Sequence, residues 1–199
     1  MSAPHVRLMG VACARGGRLL FHGVDLTAGP GDGILLHGPN GIGKSSLLRI
    51  CAGLLPAVAG SVERQGRIAL TDERLALDTD LTLQSALKFW AQLDDASPTA
   101  LAEAMEAMAL APIAKLPVRM FSTGQRKRAA LARVIASGAR IWLLDEPANG
   151  LDDASLGLLG AAVELHLARG GIVITASHQP LPMTMALRID LAAHADARI

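Results

Sequence analysis

Nine consecutive residues, Gly38-Pro39-Asn40-Gly41-Ile42-Gly43-Lys44-Ser45-Ser46, carry the clearest chemistry in the chain. They fit the phosphate-binding pattern G-x-x-x-x-G-K-[ST] at every fixed position. Glycines let the backbone curl so that successive N–H groups point inward at phosphate oxygens, and a helix leaving the loop adds its positive end. Lys44 can reach the terminal phosphates of a nucleoside triphosphate. Ser45 offers a hydroxyl to Mg²⁺, which takes few protein ligands and keeps phosphates and water for the rest.

Asp145 and Glu146 form a second candidate group, directly after the apolar run Ile141-Trp142-Leu143-Leu144. Standing alone, such a pair is a helix start or a surface corner. Beside the loop above it can divide the labour of metal-assisted hydrolysis, with Asp145 in the Mg²⁺ shell and Glu146 as general base or water-positioner. His178 follows the apolar run Ile172-Val173-Ile174-Thr175. A histidine there is either a structural side chain bonded to nearby backbone or a hydrogen-bonding partner for a γ-phosphate. Ser122-Thr123-Gly124-Gln125, ahead of Arg126-Lys127-Arg128, sets a hydroxyl and a glycine at another helix start, which can clamp an anion.

The elements that must hold these groups follow from periodicity. Ile34 to His37 reads as a buried strand entering the loop and Leu47 to Ala52 as the helix leaving it. Ile141 to Leu144 and Ile172 to Thr175 read as buried parallel strands. His5 to His37 alternates in short pieces around the turns Arg15-Gly16-Gly17-Arg18 and Gly29-Pro30-Gly31-Asp32-Gly33, predicting an antiparallel hairpin layer. Gly60 to Leu70 predicts a further strand pair, and Leu187 to Ala192 an edge strand. Between them, Leu81 to Leu93 starts a helical stretch, Ser97 and Pro98 open another helix, and Leu101, Met105 and Met108 share its core face. Ser122 opens a helix ending near Gly138, and Asp152 caps one that stops at Gly170-Gly171. The whole is a single α/β domain over 1–199 with a small helical subdomain at about 81–137.

Composition bounds the rest. The 199 residues, 51% hydrophobic, suffice for one substantial core. No apolar run approaches the roughly 18 residues that cross a bilayer, and the N-terminus lacks a signal-peptide pattern, so a cytoplasmic location is expected. Cys13 and Cys51 suit a reducing compartment, Cys51 as a small buried hydrophobe. With 19 basic and 18 acidic residues, three Phe, two Trp and no Tyr, neither a global field nor a stacking platform argues for nucleic acid. The acid-free run of basic residues from Lys115 to Arg140 reads as solvated helix and loop faces.

In their order along the chain, the motifs from Gly38 to His178 resemble the nucleotide-binding domain of ABC transporters, a P-loop NTPase fold. Ser122-Thr123-Gly124-Gln125 looks like that family's signature, with Phe121 and Thr123 where Leu and Gly are usual. Asn149-Gly150-Leu151-Asp152 matches its D-loop and His178 its switch histidine. The resemblance implies a head-to-tail dimer in which Ser122, Thr123, Gly124 and Gln125 of one copy close over ATP held by the loop of another. It places Arg15 where an aromatic usually stacks on adenine, and a guanidinium can stack in its stead. It places Glu73 at the usual glutamine that reaches Mg²⁺ through water, adding negative charge beside the phosphates.

A finer resemblance rests on the Arg15 to Arg18 turn, Leu81-Thr82 with Phe89-Trp90, and Gly170-Gly171-Ile172-Val173 leading to His178-Gln179-Pro180-Leu181. These look like the ATPase subunits of cytochrome c maturation, or haem export, systems. The resemblance implies a peripheral subunit on the cytoplasmic face of a bacterial inner membrane, bound to integral membrane subunits of that system. The chain itself carries no C-x-x-C-H haem motif. Two other readings remain open at this point: the ATPase of another small-molecule exporter, and a nucleotide-gated assembly factor with slow turnover.

Overall fold

The computed structural model describes residues 3–72, 76–178, 181 and 187–195. Its centre is a five-stranded parallel sheet in the order β5-β6-β7-β3-β8, where β3 is Gly33–His37, β5 Ile68–Thr71, β6 Ile141–Asp145, β7 Ile172–Ala176 and β8 Leu187–Asp190. Strands β6 and β7 are buried at every position. That explains their unbroken apolar runs, since a parallel sheet is covered on both faces. Successive side chains divide between two cores. Ile141 and Leu143 pack with Ile34, Leu36, Ile172 and Ile174 on one side, while Trp142 and Leu144 pack with Val173 on the other.

A three-stranded antiparallel sheet, in the order β2-β1-β4, covers the first face together with helix α1 (Lys44–Ala52). Here β1 is His5–Arg15, β2 Arg18–Ala28 and β4 Ala59–Gln65. The hairpin layer is as the alternation predicts, except that β3 leaves it for the parallel sheet. The pairing predicted within Gly60 to Leu70 is absent. Strand β4 pairs with β1, whereas β5 pairs with β6. Alternation fixes which residues are strand, but the partner of a strand is a long-range matter that periodicity does not carry.

Helices α2 (Leu83–Leu93), α3 (Pro98–Ala107) and α4 (Thr123–Ala136) lie between β5 and β6 in the chain, and α5 (Asp153–Ala168) follows β6. The caps Ser97, Ser122 and Asp152 sit where the sequence puts them, and Thr82, inside the predicted Leu81 to Leu93 stretch, is a fourth. Thr82, Ser97, Ser122 and Asp152 each accept a hydrogen bond from a backbone N–H three residues on. Leu101, Met105 and Met108 are buried in the second core. Cys51 is buried behind the loop, and burial pushes its thiol up to about 12, so it remains an inert thiol. Among the described residues no helix is long and apolar enough to cross a membrane.

Candidate nucleotide-binding site

The loop from Gly38 to Gly43 leaves the carboxyl end of β3 and turns into α1 at Lys44, one turn earlier than the apolar pattern alone predicts. Lys44, Ser45 and Ser46 are polar and mask that first turn. Gly43 occupies the N-cap with φ 110°, and a Cβ there would stand 2.8 Å from the Phe21 ring. Only glycine meets both demands. The Lys44 side chain is buried, and its Nζ donates to Gly38 O at 2.7 Å and Pro39 O at 3.2 Å. Two of its three ammonium protons thus fix its head at the loop mouth, and a third is left for a ligand oxygen.

A cavity of about 400 Å³ in one direction and another of about 340 Å³ in the other meet at Glu146 and Asn149. The smaller is bordered by the loop from Asn40 to Ser46, by Glu146 and by His178, so three sequence-distant groups converge there. Parallel strands β3, β6 and β7 all end at this edge, the usual ligand crevice of an open α/β sheet. Glu146 has φ 44°, a left-handed conformation that costs a side chain roughly 1–3 kcal/mol and is held by its surroundings. Its N–H donates to Ala176 O at 2.8 Å, and its Oε2 accepts from His178 Nδ1 at 2.9 Å. The carboxylate identifies Nδ1 as the protonated nitrogen and leaves Nε2 as the acceptor of the ring.

Asp145 is buried at the end of β6, with Lys127 Nζ donating to its carbonyl at 3.3 Å. Ser45 borders the cavity. One hydroxyl and one carboxylate suit a hard cation that brings phosphate and water as its other ligands. Among the described residues no cluster of three His, Cys, Asp or Glu could hold a metal unaided. Glu73 and the Gln179-Pro180 pair lie outside the described residues.

Ser122 and Gln125 close a reciprocal capping box at the start of α4: Gln125 N–H donates to Ser122 Oγ at 3.2 Å, and Ser122 N–H to Gln125 Oε1 at 2.9 Å. Gly124 stands so near Gly150 that a Cβ would lie 3.1 Å from the Gly150 carbonyl oxygen. The Ser122 segment and the Asn149 to Asp152 segment therefore touch within one chain. Asp152 caps α5, and its bonds from Ser155 hold its carboxyl below the usual carboxylate range.

Arg15 is exposed at the end of β1, opposite Arg18 across the hairpin turn, while Leu20 of β2 borders the loop cavity. Leu20 carries no signal of its own in the sequence, whereas Asn149 opens the segment that resembles a D-loop. The larger cavity is bordered by Thr123, Arg126 and Lys127, from the segment read as an anion clamp, and by Asp72, which the sequence offers only as a charge.

The ABC transporter family profile matches residues 21–149. The cytochrome c biogenesis ATP-binding export protein CcmA of Sphingopyxis alaskensis is 57% identical over 86% of this chain and 88% of its own. The protein of the same name from Novosphingobium aromaticivorans is 54% identical over 89% and 93%. The structure of an ABC transporter ATP-binding protein from Pyrococcus furiosus superposes with a TM-score of 0.85 at 22% identity, over 96% of this chain and 100% of that one, a likeness of fold. With this match over more than half of its length, and these relatives across most of it, the chain belongs to the ABC transporter family as an ATP-binding subunit, in the branch of the cytochrome c biogenesis ATP-binding export proteins.

Proposed function

We propose that the chain hydrolyses ATP as the motor of a cytochrome c biogenesis export system, a reading that the ATP binding and export in its relatives' names support. One observation supports the reading above the others: Lys44, Ser45, Glu146 and His178 border a single cavity, and Glu146 is held by His178 within it. The loop N–H groups and Lys44 bind the β- and γ-phosphates. A carboxylate has several acceptor positions, so Glu146 Oε2 can keep its bond to His178 while Oε1 takes the proton of an in-line water. His178 Nε2 faces the γ-phosphate and answers its shifting charge. Ser45 and Asp145 would hold Mg²⁺, which supplies positive charge to the phosphates when bound.

The site is half of a composite. Ser122 to Gln125 of a second copy closes over the ATP held by the Gly38 to Ser46 loop, giving a head-to-tail dimer that hydrolysis dismantles. Residues 81–137 act as a helical subdomain carried by the ATPase core. Its helix α2 turns Phe89 and Leu93 outward, 54% and 62% exposed, beside a depression of about 400 Å³ floored by Leu77, Ala86 and Trp90. That apolar face is where an integral membrane subunit of the cytochrome c maturation complex docks, on the cytoplasmic side of a bacterial inner membrane. The test is Glu146→Gln. It should keep ATP binding, trap an ATP-bound dimer, and lower phosphate release by about 10²- to 10⁴-fold, the usual contribution of a general base. Turnover equal to that of the parent would remove Glu146 from this role.

A further inference from the structure

Strand β5 lies at the edge of the parallel sheet, where its carbonyls are open to side-chain donors. Arg133, from the last turn of α4, takes one of them: its Nη2 donates to Leu70 O at 2.6 Å. The same guanidinium lies over the ring of Trp90 of α2, with Cζ 4.9 Å from the centroid. Trp90 Nε1 in turn donates to Ala76 O. One stacked pair thus hooks the chain at Leu70 and again at Ala76, and does so from two different helices.

Between those anchors stands Asp72. It is paired with Arg49 of α1, the helix that leaves the phosphate loop, at 3.4 Å, and it borders the cavity that meets the loop cavity at Glu146 and Asn149. The two helices that supply the hook face different tasks. Helix α4 is capped by Ser122, and α2 exposes Phe89 next to Trp90, with the two rings edge-to-face at 5.8 Å. Arg133 is half-buried, and burial pushes its pKa down. An arginine does not lose its proton in a protein, so the cost of that burial is offset by the carbonyl and the ring together. Lysine, a point charge without a planar face, cannot replace it in both contacts.

We infer that Arg133 and Trp90 are positioning residues for ATP hydrolysis: their stacked pair carries the placement of α2 to Asp72 at the rim of the Glu146 cavity. This rests on reading the Lys44 cavity as the ATP site. Neither residue borders the loop cavity, so nucleotide affinity is largely independent of them and the rate of the hydrolytic step is not.

The chain has two tryptophans, Trp90 and Trp142, so Trp142→Phe leaves Trp90 as the sole reporter in the clamp. In that full-length variant, Trp90 emission is titrated with ATP and Mg²⁺ while binding is followed separately by filter retention of labelled ATP. Emission should change and saturate with the same midpoint as retention. Adding Arg133→Lys should blunt the change and lower kcat by about 2- to 30-fold, the range of side chains that couple sites, with KM within about twofold. A purely structural role would lower the melting temperature without splitting kcat from KM. Flat Trp90 emission alongside normal ATP retention overturns the inference, and this arm leaves the clamp intact, so it decides even if Arg133→Lys folds poorly. Parental kcat in a folded Arg133→Lys chain overturns it as well. If no ATP is retained by the parent, the reading of the Lys44 cavity fails and the clamp falls with it.

Discussion

His178 Nδ1 lies 2.9 Å from Glu146 Oε2, joining the ends of neighbouring parallel strands β7 and β6 across 32 residues of sequence. The bond orients both groups: Glu146, in a left-handed backbone, has its carboxylate steered into the cavity, and His178 has its tautomer fixed.

His178→Ala removes that orientation and the second ring nitrogen, Nε2, together. Phosphate release should fall by about 10²- to 10³-fold, as for the loss of a single preorganised donor, while ATP affinity changes little. Single-turnover hydrolysis together with equilibrium ATP binding measures both. A parallel loss of affinity would make His178 a binding group and not a partner of Glu146.

Gly43→Ala tests the packing beneath the loop. The new Cβ would meet the buried Phe21 ring at 2.8 Å in a backbone that side chains rarely adopt. Overpacking of this kind costs about 1–3 kcal/mol, with strain added, so thermal unfolding should shift clearly downward and ATP binding should weaken. Unchanged melting would mean that the loop can shift off Phe21 freely.

How much of this was legible follows the range of each signal. The phosphate loop, the caps at Ser97, Ser122 and Asp152, and the buried strands β6 and β7 are written locally, in spacing and in turn chemistry, and the structure has them. The start of α1 was hidden because Lys44, Ser45 and Ser46 have no apolar period. Strand β4 was paired wrongly with β5 because the choice of sheet depends on β1, some fifty residues away. Leu20 and the Arg133–Trp90 stack have no local signature, since each gains meaning only from residues that folding brings beside it. Gly171 reads as a helix stop, and it also makes room for an imidazole: a Cβ there would overlap the ring of His166.

That imidazole gives a pH prediction. His166 stacks on Trp142 at 3.8 Å, and burial pushes its pKa from 6.5 down to about 4. Folding therefore favours the neutral ring. Between pH 6.5 and about 4 the unfolded chain holds this proton and the folded chain does not, so stability falls as the pH drops through that window. Melting temperatures at about pH 7.5 and about pH 5 should differ more for the parent than for His166→Phe, which keeps a stacked ring without a titrating group. An equal fall in both would assign the acid sensitivity to other groups.

The central claim is that the hydrolytic site is shared between two copies, and mixing tests it most directly. Lys44→Ala disables the loop of one chain and Ser122→Arg the clamp of another, so each purified variant alone should hydrolyse almost nothing. Mixed in equal amounts with the membrane partner present, half of the dimers pair the two variants, and each of these keeps one intact loop facing one intact clamp. Phosphate release should then recover to about a quarter of the parental rate, as a two-fold interface in which each copy's loop meets the other's clamp requires. A mixture no more active than the sum of its two components would contradict the claim.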